Sequence, residues 1–344
     1  MAAGETLEYR VEDKSILLPY YKRFLIEPLL PYIPAGVSPN AITHVGHAAN
    51  LAAVALLLGT GASRGWPCVA AAALMQLQVW CDNADGGHAR RTNQCSPLGE
   101  FLDHGLDVLN VIYIGLLTCA ALGVTPGWWV ALTLLVPTAV SVTYWEQAVT
   151  GMFRLGLLNQ VESAVVLTGV LVAAAWLGTS FYADTSFAGV SLRFAFSAWA
   201  FVQVAVGLVR SVVRVARVEP AALPAIAPLL GFDAAVVAAA WSGALDTPSA
   251  VAVGVAMNTF VGVRTLLRRI RHERPQVEPL LLAGALVVAA AAVLAFAHVA
   301  LPAWSSKALA ALACGVFGVR AALDAREGVG RVQGMTAVVA ADGH

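Results

Sequence analysis

Residues 80–110, WCDNADGGHARRTNQCSPLGEFLDHGLDVLN, carry most of the chemistry available to an otherwise apolar chain. Asp82 and Asp85 are three residues apart and Asp103 and Asp107 four apart, so each pair shares one face of a helix. Ser96 followed by Pro97 reads as an N-cap and first helical position, starting a helix that runs on through both later aspartates. Four carboxylates on two adjacent helix ends repel one another, and at membrane depth they are costly unless neutralised. Hard oxygen donors clustered this way suit Mg2+ or Mn2+, ions that in turn suit a diphosphate. Gly86, Gly87, Ala89 and Gly99 clear side chains from where a bulky ligand must approach the backbone. Gly99, Asp103 and Asp107 form one stripe at spacing four, and Arg90 offers planar bidentate contact to phosphate. The competing reading, solvated loop acids with capping duties, does not explain why four acids converge.

The elements that position these residues must lie in a membrane. Of the 344 residues, 59% are hydrophobic and 12% charged, with a mean hydropathy of +0.74. A soluble domain carries about 25% charged residues. The net charge of zero gives no reason to expect a nucleic-acid partner. With a window of about 20 residues, ten spans are expected, near 41–62, 66–83, 98–121, 127–147, 160–178, 189–209, 222–244, 248–267, 277–299 and 304–322. If the N-terminus is cytosolic, only Arg64, Arg193 and Lys307 of the 21 Lys and Arg residues fall on the other side, as the positive-inside rule expects. The aspartates then face the cytosol.

Residues 15–33, SILLPYYKRFLIEPLLPYI, read as an amphipathic helix lying on that leaflet, with Pro19, Pro28 and Pro31 breaking its continuity. The expected architecture is thus an all-α polytopic membrane protein of about ten transmembrane helices preceded by an interfacial helix. Residues 1–34 would form the cytosolic lead-in, 35–210 a catalytic core of about six spans, 211–325 a four-span bundle, and 326–344 a cytosolic tail. The bundle is expected either to pack a homodimer or to shape lipid access. The five cysteines are scattered and suggest neither disulfides nor a thiolate site. The opening residues lack a signal-peptide pattern. Trp66, Trp128, Trp129, Trp145, Trp241 and Trp304 fall near span ends and read as interfacial belt residues.

Asp82, Asp85, Gly86, Ala89, Arg90, Gly99, Asp103 and Asp107 fit D-x-x-D-G-x-x-A-R-x8-G-x-x-x-D-x-x-x-D at every fixed position. In this the chain resembles the CDP-alcohol phosphatidyltransferase family. The resemblance implies that the aspartates bind two Mg2+ or Mn2+ ions bridging a CDP diphosphate. DGGHARRTNQCSPLGEFLDHGLD, PNAITHVGHAAN (39–50) and YWEQAVTGMFRLGLLNQVE (144–162) look like the choline/ethanolamine phosphotransferases of eukaryotic type, over roughly residues 15–165. Gly87 and His88 depart from that subfamily, where Lys-Gln is usual. The resemblance implies CDP-choline or CDP-ethanolamine as donor and diacylglycerol as acceptor, in a bilayer of the endoplasmic reticulum or Golgi in a eukaryote or the inner membrane in a bacterium.

Glu100 and His104 lie four apart beside the aspartate stripe. A carboxylate beside an imidazole raises its basicity and fixes its tautomer. His104 is therefore expected to accept the hydroxyl proton with Glu100 supporting it, roles the resemblance also implies; Asp107 is the competing base. Asn40 is placed either to contact the nucleotide or to cap a helix. Glu162 and Glu146 either line the site or pair with Arg154. Two rival functions remain: a transferase using CDP-diacylglycerol as donor, and a transporter or scramblase with a structural metal. The latter would repeat polar residues along several spans.

Overall fold

The computed structural model describes residues 10–156 and 159–341, the side chains of residue 10 and of 334–341 excepted. Long helices occupy each stretch where hydropathy calls for a span: α2 (Pro39–Thr60), α3 (Trp66–Thr92), α4 (Pro97–Leu122), α5 (Pro126–Thr150) and α6 (Gln160–Leu177). After the short α7 (Ser180–Asp184) they continue with α8 (Leu192–Val218), α9 (Ala227–Ser242), α10 (Thr247–Ile270), α11 (Pro279–Phe296) and α12 (Ser305–Ala341). Among the described residues, nine helices are long and apolar enough to cross a bilayer. The remaining long helix, α3, is 27 residues, about 40 Å, and its final turns carry the polar run from Asp82 to Arg91. The protein is an all-α polytopic membrane protein.

The lead-in differs from a single interfacial helix. It is broken into α1 (Leu18–Tyr21), a π turn over Lys22–Ile26 and a 3-10 turn over Leu30–Tyr32. Pro28 and Pro31 remove amide donors and prevent one continuous helix. Tyr20, Phe24, Leu25, Leu29 and Tyr32 are exposed along it, as a segment dipping into headgroups requires. At the other end α12 does not stop near 322 but continues unbroken to Ala341, so the expected tail is helical; residues 1–9 and 342–344 lie outside the described residues.

Two apolar cores form. One joins α2, α3, α4 and α6 around Met75, Val79, Leu117 and Leu171. The other joins α5, α9, α10, α11 and α12 around Leu134, Phe232, Met257 and Phe260. Trp145 belongs to this second core at 3% exposure, which corrects its reading as a belt residue. Trp66, Trp128, Trp241 and Trp304 are exposed. Between the cores, a small cluster of Phe101, Val108, Tyr144, Leu266 and Val332 binds α4 to α5, α10 and α12. Along the 27 residues of α8, only Ser211 and Val215 are buried.

Close helix crossings depend on missing side chains, the usual membrane solution. A Cβ on Gly46 would stand 2.7 Å from the Cys81 Cβ, and one on Gly262 would stand 2.5 Å from Val108 Cγ2. Val108 is fully buried and cannot yield. Gly262→Ala is therefore expected to destabilise the protein by about 1–3 kcal/mol, seen as a lower thermal midpoint in detergent.

Candidate active site

The acids come together where α3 ends and α4 begins. Ser96 caps α4, its Oγ accepting from the Gly99 amide at 3.1 Å with Pro97 in the first turn. That start places Asp103 and Asp107 two and three turns in, opposite Asp82. Carboxylate oxygens of Asp82, Asp103 and Asp107 lie within 4.8 Å of one another. Gln78 Nε2 lies 3.5 Å from Asp82 Oδ1, and the Gln160 side chain at the start of α6 also donates to Asp82. Asp103 Oδ1 is buried and has no hydrogen-bond partner among the described residues. Three converging carboxylates, one with an orphaned oxygen, fit a hard divalent cation.

Asp85 is not one of the converging three. Thr43 Oγ1 donates to its Oδ2 at 2.6 Å, and the Gly86 amide contacts its Oδ1 at 2.6 Å. Thr43 thus joins the site from α2, a contact spanning 42 residues of sequence that spacing does not reveal.

Around this centre the other sequence candidates take distinct places. The cap of α2 is Ser38, which accepts from the Ala41 amide, so Asn40 is not needed for capping. Instead Asn40 Oδ1 lies 3.3 Å from where a Cβ on Gly99 would sit, linking the starts of α2 and α4. Arg90 is exposed and folds back over Gly86, Nη1 standing 3.5 Å from a Cβ position there. Ala89 is buried against the helix interface.

Glu100 and His104 do not form the expected pair. Glu100 accepts from Arg269 Nη2 at 2.9 Å, a contact reaching across from α10. His104 is buried, with ring centroids 5.8 Å from Tyr144 and 6.1 Å from Phe153. Tyr144 donates to the His104 main-chain carbonyl at 3.3 Å. A small cavity lined by Glu100, His104, Leu266, Arg269 and Val332 opens beside it. The imidazole is thus oriented by aromatic packing and by α10, while the carboxylate four residues back is held by a guanidinium.

Glu162 is a bracket. It is buried at the third position of α6, where Oε2 accepts from the Asn159 amide in a capping box. Its Oε1 accepts from Ser15 Oγ and the Leu17 amide, both at 2.7 Å. Both oxygens are engaged with the chain itself, which corrects the expectation of a substrate contact. Glu162→Ala removes three acceptor contacts, so hydrogen exchange over residues 15–33 is expected to quicken by about tenfold or more. Glu146 takes the structural alternative: fully buried, it receives Arg214 Nη2 at 2.6 Å and Arg154 Nη1 at 3.1 Å.

The lead-in is strapped across the same end. Strand β1 (Arg10–Asp13) pairs in parallel with β2 (Met152–Leu155). Trp80 Nε1 donates to the Leu25 carbonyl, Gln94 Nε2 to the Ala35 carbonyl and Arg91 Nη2 to the Ile33 carbonyl. His88, fully buried, is 2.8 Å from the Val37 carbonyl, and a Cβ on Gly87 would lie 2.9 Å from Leu30. The Gly87-His88 departure therefore seats the lead-in on α3.

This polytopic helical membrane protein thus clusters acids at two helix ends under a strapped amphipathic segment, a carboxylate set that fits a divalent cation. The chain belongs to the CDP-alcohol phosphatidyltransferase family, whose model matches residues 36–209. It is 32% identical to human cholinephosphotransferase 1 over 161 residues, 45% of this chain and 40% of the relative. The chicken cholinephosphotransferase 1 is 30% identical over 201 residues, 55% and 59% of the two chains. A CDP-diacylglycerol–serine O-phosphatidyltransferase of Encephalitozoon cuniculi is 35% identical over 168 residues, 45% and 41%. The chain spans about half the length of the curated relatives it matches.

Proposed function

We propose that the protein transfers phosphocholine or phosphoethanolamine from a CDP-alcohol to diacylglycerol, giving phosphatidylcholine or phosphatidylethanolamine and CMP. The observation that carries this is the convergence of Asp82, Asp103 and Asp107 within a sequence keeping every fixed position of the family signature. Asp85 would complete the ligand set for two Mg2+ or Mn2+ ions. Bound metal would neutralise the donor diphosphate and make CMP a workable leaving group.

The protein's own groups supply position and proton transfer. Arg90 and Asn40 hold the donor over the glycine-cleared stripe of Gly86, Ala89 and Gly99. Beside the site lies a cavity of about 750 Å3 between α4, α5, α6 and α8, reaching Asn159 and lined at its polar end by Arg154, Arg210 and Arg214. Its apolar length suits the acyl chains of the acceptor. The acceptor hydroxyl gives its proton to His104, its oxygen bonds to the β-phosphorus, and the bond from that phosphorus to the CMP oxygen breaks. Under this topology the site faces the cytosol, in an endoplasmic reticulum, Golgi or bacterial inner membrane.

Purified protein given diacylglycerol, Mg2+ and each labelled CDP-alcohol is expected to release CMP with choline or ethanolamine donor. Silence with both would overturn the donor assignment. The likeness to a microsporidian serine phosphatidyltransferase supports a second reading, CDP-diacylglycerol as donor. CMP release from that donor with a free alcohol would establish it.

A further inference from the structure

At the end of the bundle away from the aspartates, a second large cavity of about 790 Å3 opens between α5, α8 and α9. Its size is that of a ligand pocket. The wall is almost wholly hydrocarbon, with Leu135, Phe201 and Val237 along its depth and Trp128, Trp241 and Arg193 toward the mouth. The polar exception at depth, Asp233, is already engaged, receiving Thr138 Oγ1 and Asn258 Nδ2.

The mouth has the layout of a headgroup site. Trp128 and Trp241 meet edge to face at 5.8 Å, and Trp241 Nε1 donates to the Gly127 carbonyl at 2.8 Å. Indole rings fixed at a helix end mark the headgroup level of a bilayer. Arg193 Nε donates to the Leu122 carbonyl at 3.1 Å, which holds the guanidinium against the end of α4. Among the described residues, no carboxylate lies within salt-bridge distance of it. A fixed guanidinium at headgroup level, above a hydrocarbon slot, is complementary to one ligand chemistry: a phosphate ester on an acyl chain.

We propose that this cavity binds a phospholipid of the leaflet opposite the active site, its phosphate on Arg193 and an acyl chain between α5, α8 and α9. The site is separate from the acceptor chamber, which lies across α8.

The test is native mass spectrometry of the full chain in detergent, with phosphatidylglycerol as probe and diacylglycerol of the same acyl chains as the phosphate-free control. Wild type is expected to retain one phosphatidylglycerol that Arg193→Gln binds about tenfold more weakly. Ala238→Phe, which fills the slot, should abolish that retention, with Ala234→Leu as a milder filling variant should the first not fold. Lipid in the active-site chamber is common to all variants and drops out of the comparison. Equal retention in wild type, Arg193→Gln and the filling variants would overturn the proposal. So would a diacylglycerol retention that falls in the filling variants as far as that of phosphatidylglycerol, or a dimer that covers the groove without lipid. CMP release should be unchanged in all three variants.

Discussion

Asp103→Asn and Asp107→Asn are each expected to lower transfer by about 10^3-fold or more, the scale of charge stabilisation a bound metal supplies. The two residues sit on one face of α4 with Asp82 opposite, all three within 4.8 Å. An amide keeps the shape but loses the anionic donor. The same change removes one of three mutually repelling carboxylates, so without metal the variants should unfold no earlier than wild type. CMP release and thermal midpoints measured with and without chelator check both halves. A purely structural role for these acids predicts the reverse, a lower midpoint with activity largely kept. Chelation of wild type should give the same loss, recovered by adding Mg2+ or Mn2+.

The second large effect is expected at His104. A general base contributes about 10^2- to 10^4-fold, so His104→Ala should lower kcat by that factor with little change in KM for either substrate. Because His104 packs against Tyr144 and Phe153, truncation also leaves a void. His104→Gln, which fills much of it, separates lost chemistry from lost packing. Activity within a few-fold of wild type would move the base to Asp107, which lies inside the acid cluster. Glu100 now has a different expected part. Since it is held by Arg269, its replacement should act by loosening the junction of α4 with α10.

The helices were legible because a bilayer imposes one length and one solvent on every span. Even α3, too polar to pass as a simple span, was marked by the apolar run before Asp82. The aspartate pairs were legible for a related reason: spacings of three and four fix a face whatever surrounds the helix. What escaped was everything set by contacts distant in the chain. Thr43 reaches Asp85 over 42 residues, Arg269 reaches Glu100 over 169, and Ser15 reaches Glu162 over 147. Helical spacing made Glu100 and His104 neighbours, but it could not show that a guanidinium from α10 would take the carboxylate. Trp145 misled because a position near a span end does not distinguish a ring facing lipid from one buried in the core.

The pairing of β1 with β2, reinforced by the Ser15–Glu162 contact, also sets an order of events during synthesis. The first strand leaves the ribosome long before its partner, and four long helices separate the two. Until residues 152–162 have emerged, the lead-in has neither a strand to pair with nor a bracket to hold it, and loop closure over that distance comes late. The roof of the site is thus fastened only after the fourth span is made and the fifth begun. A chain arrested before that point would carry its aspartates under an open end.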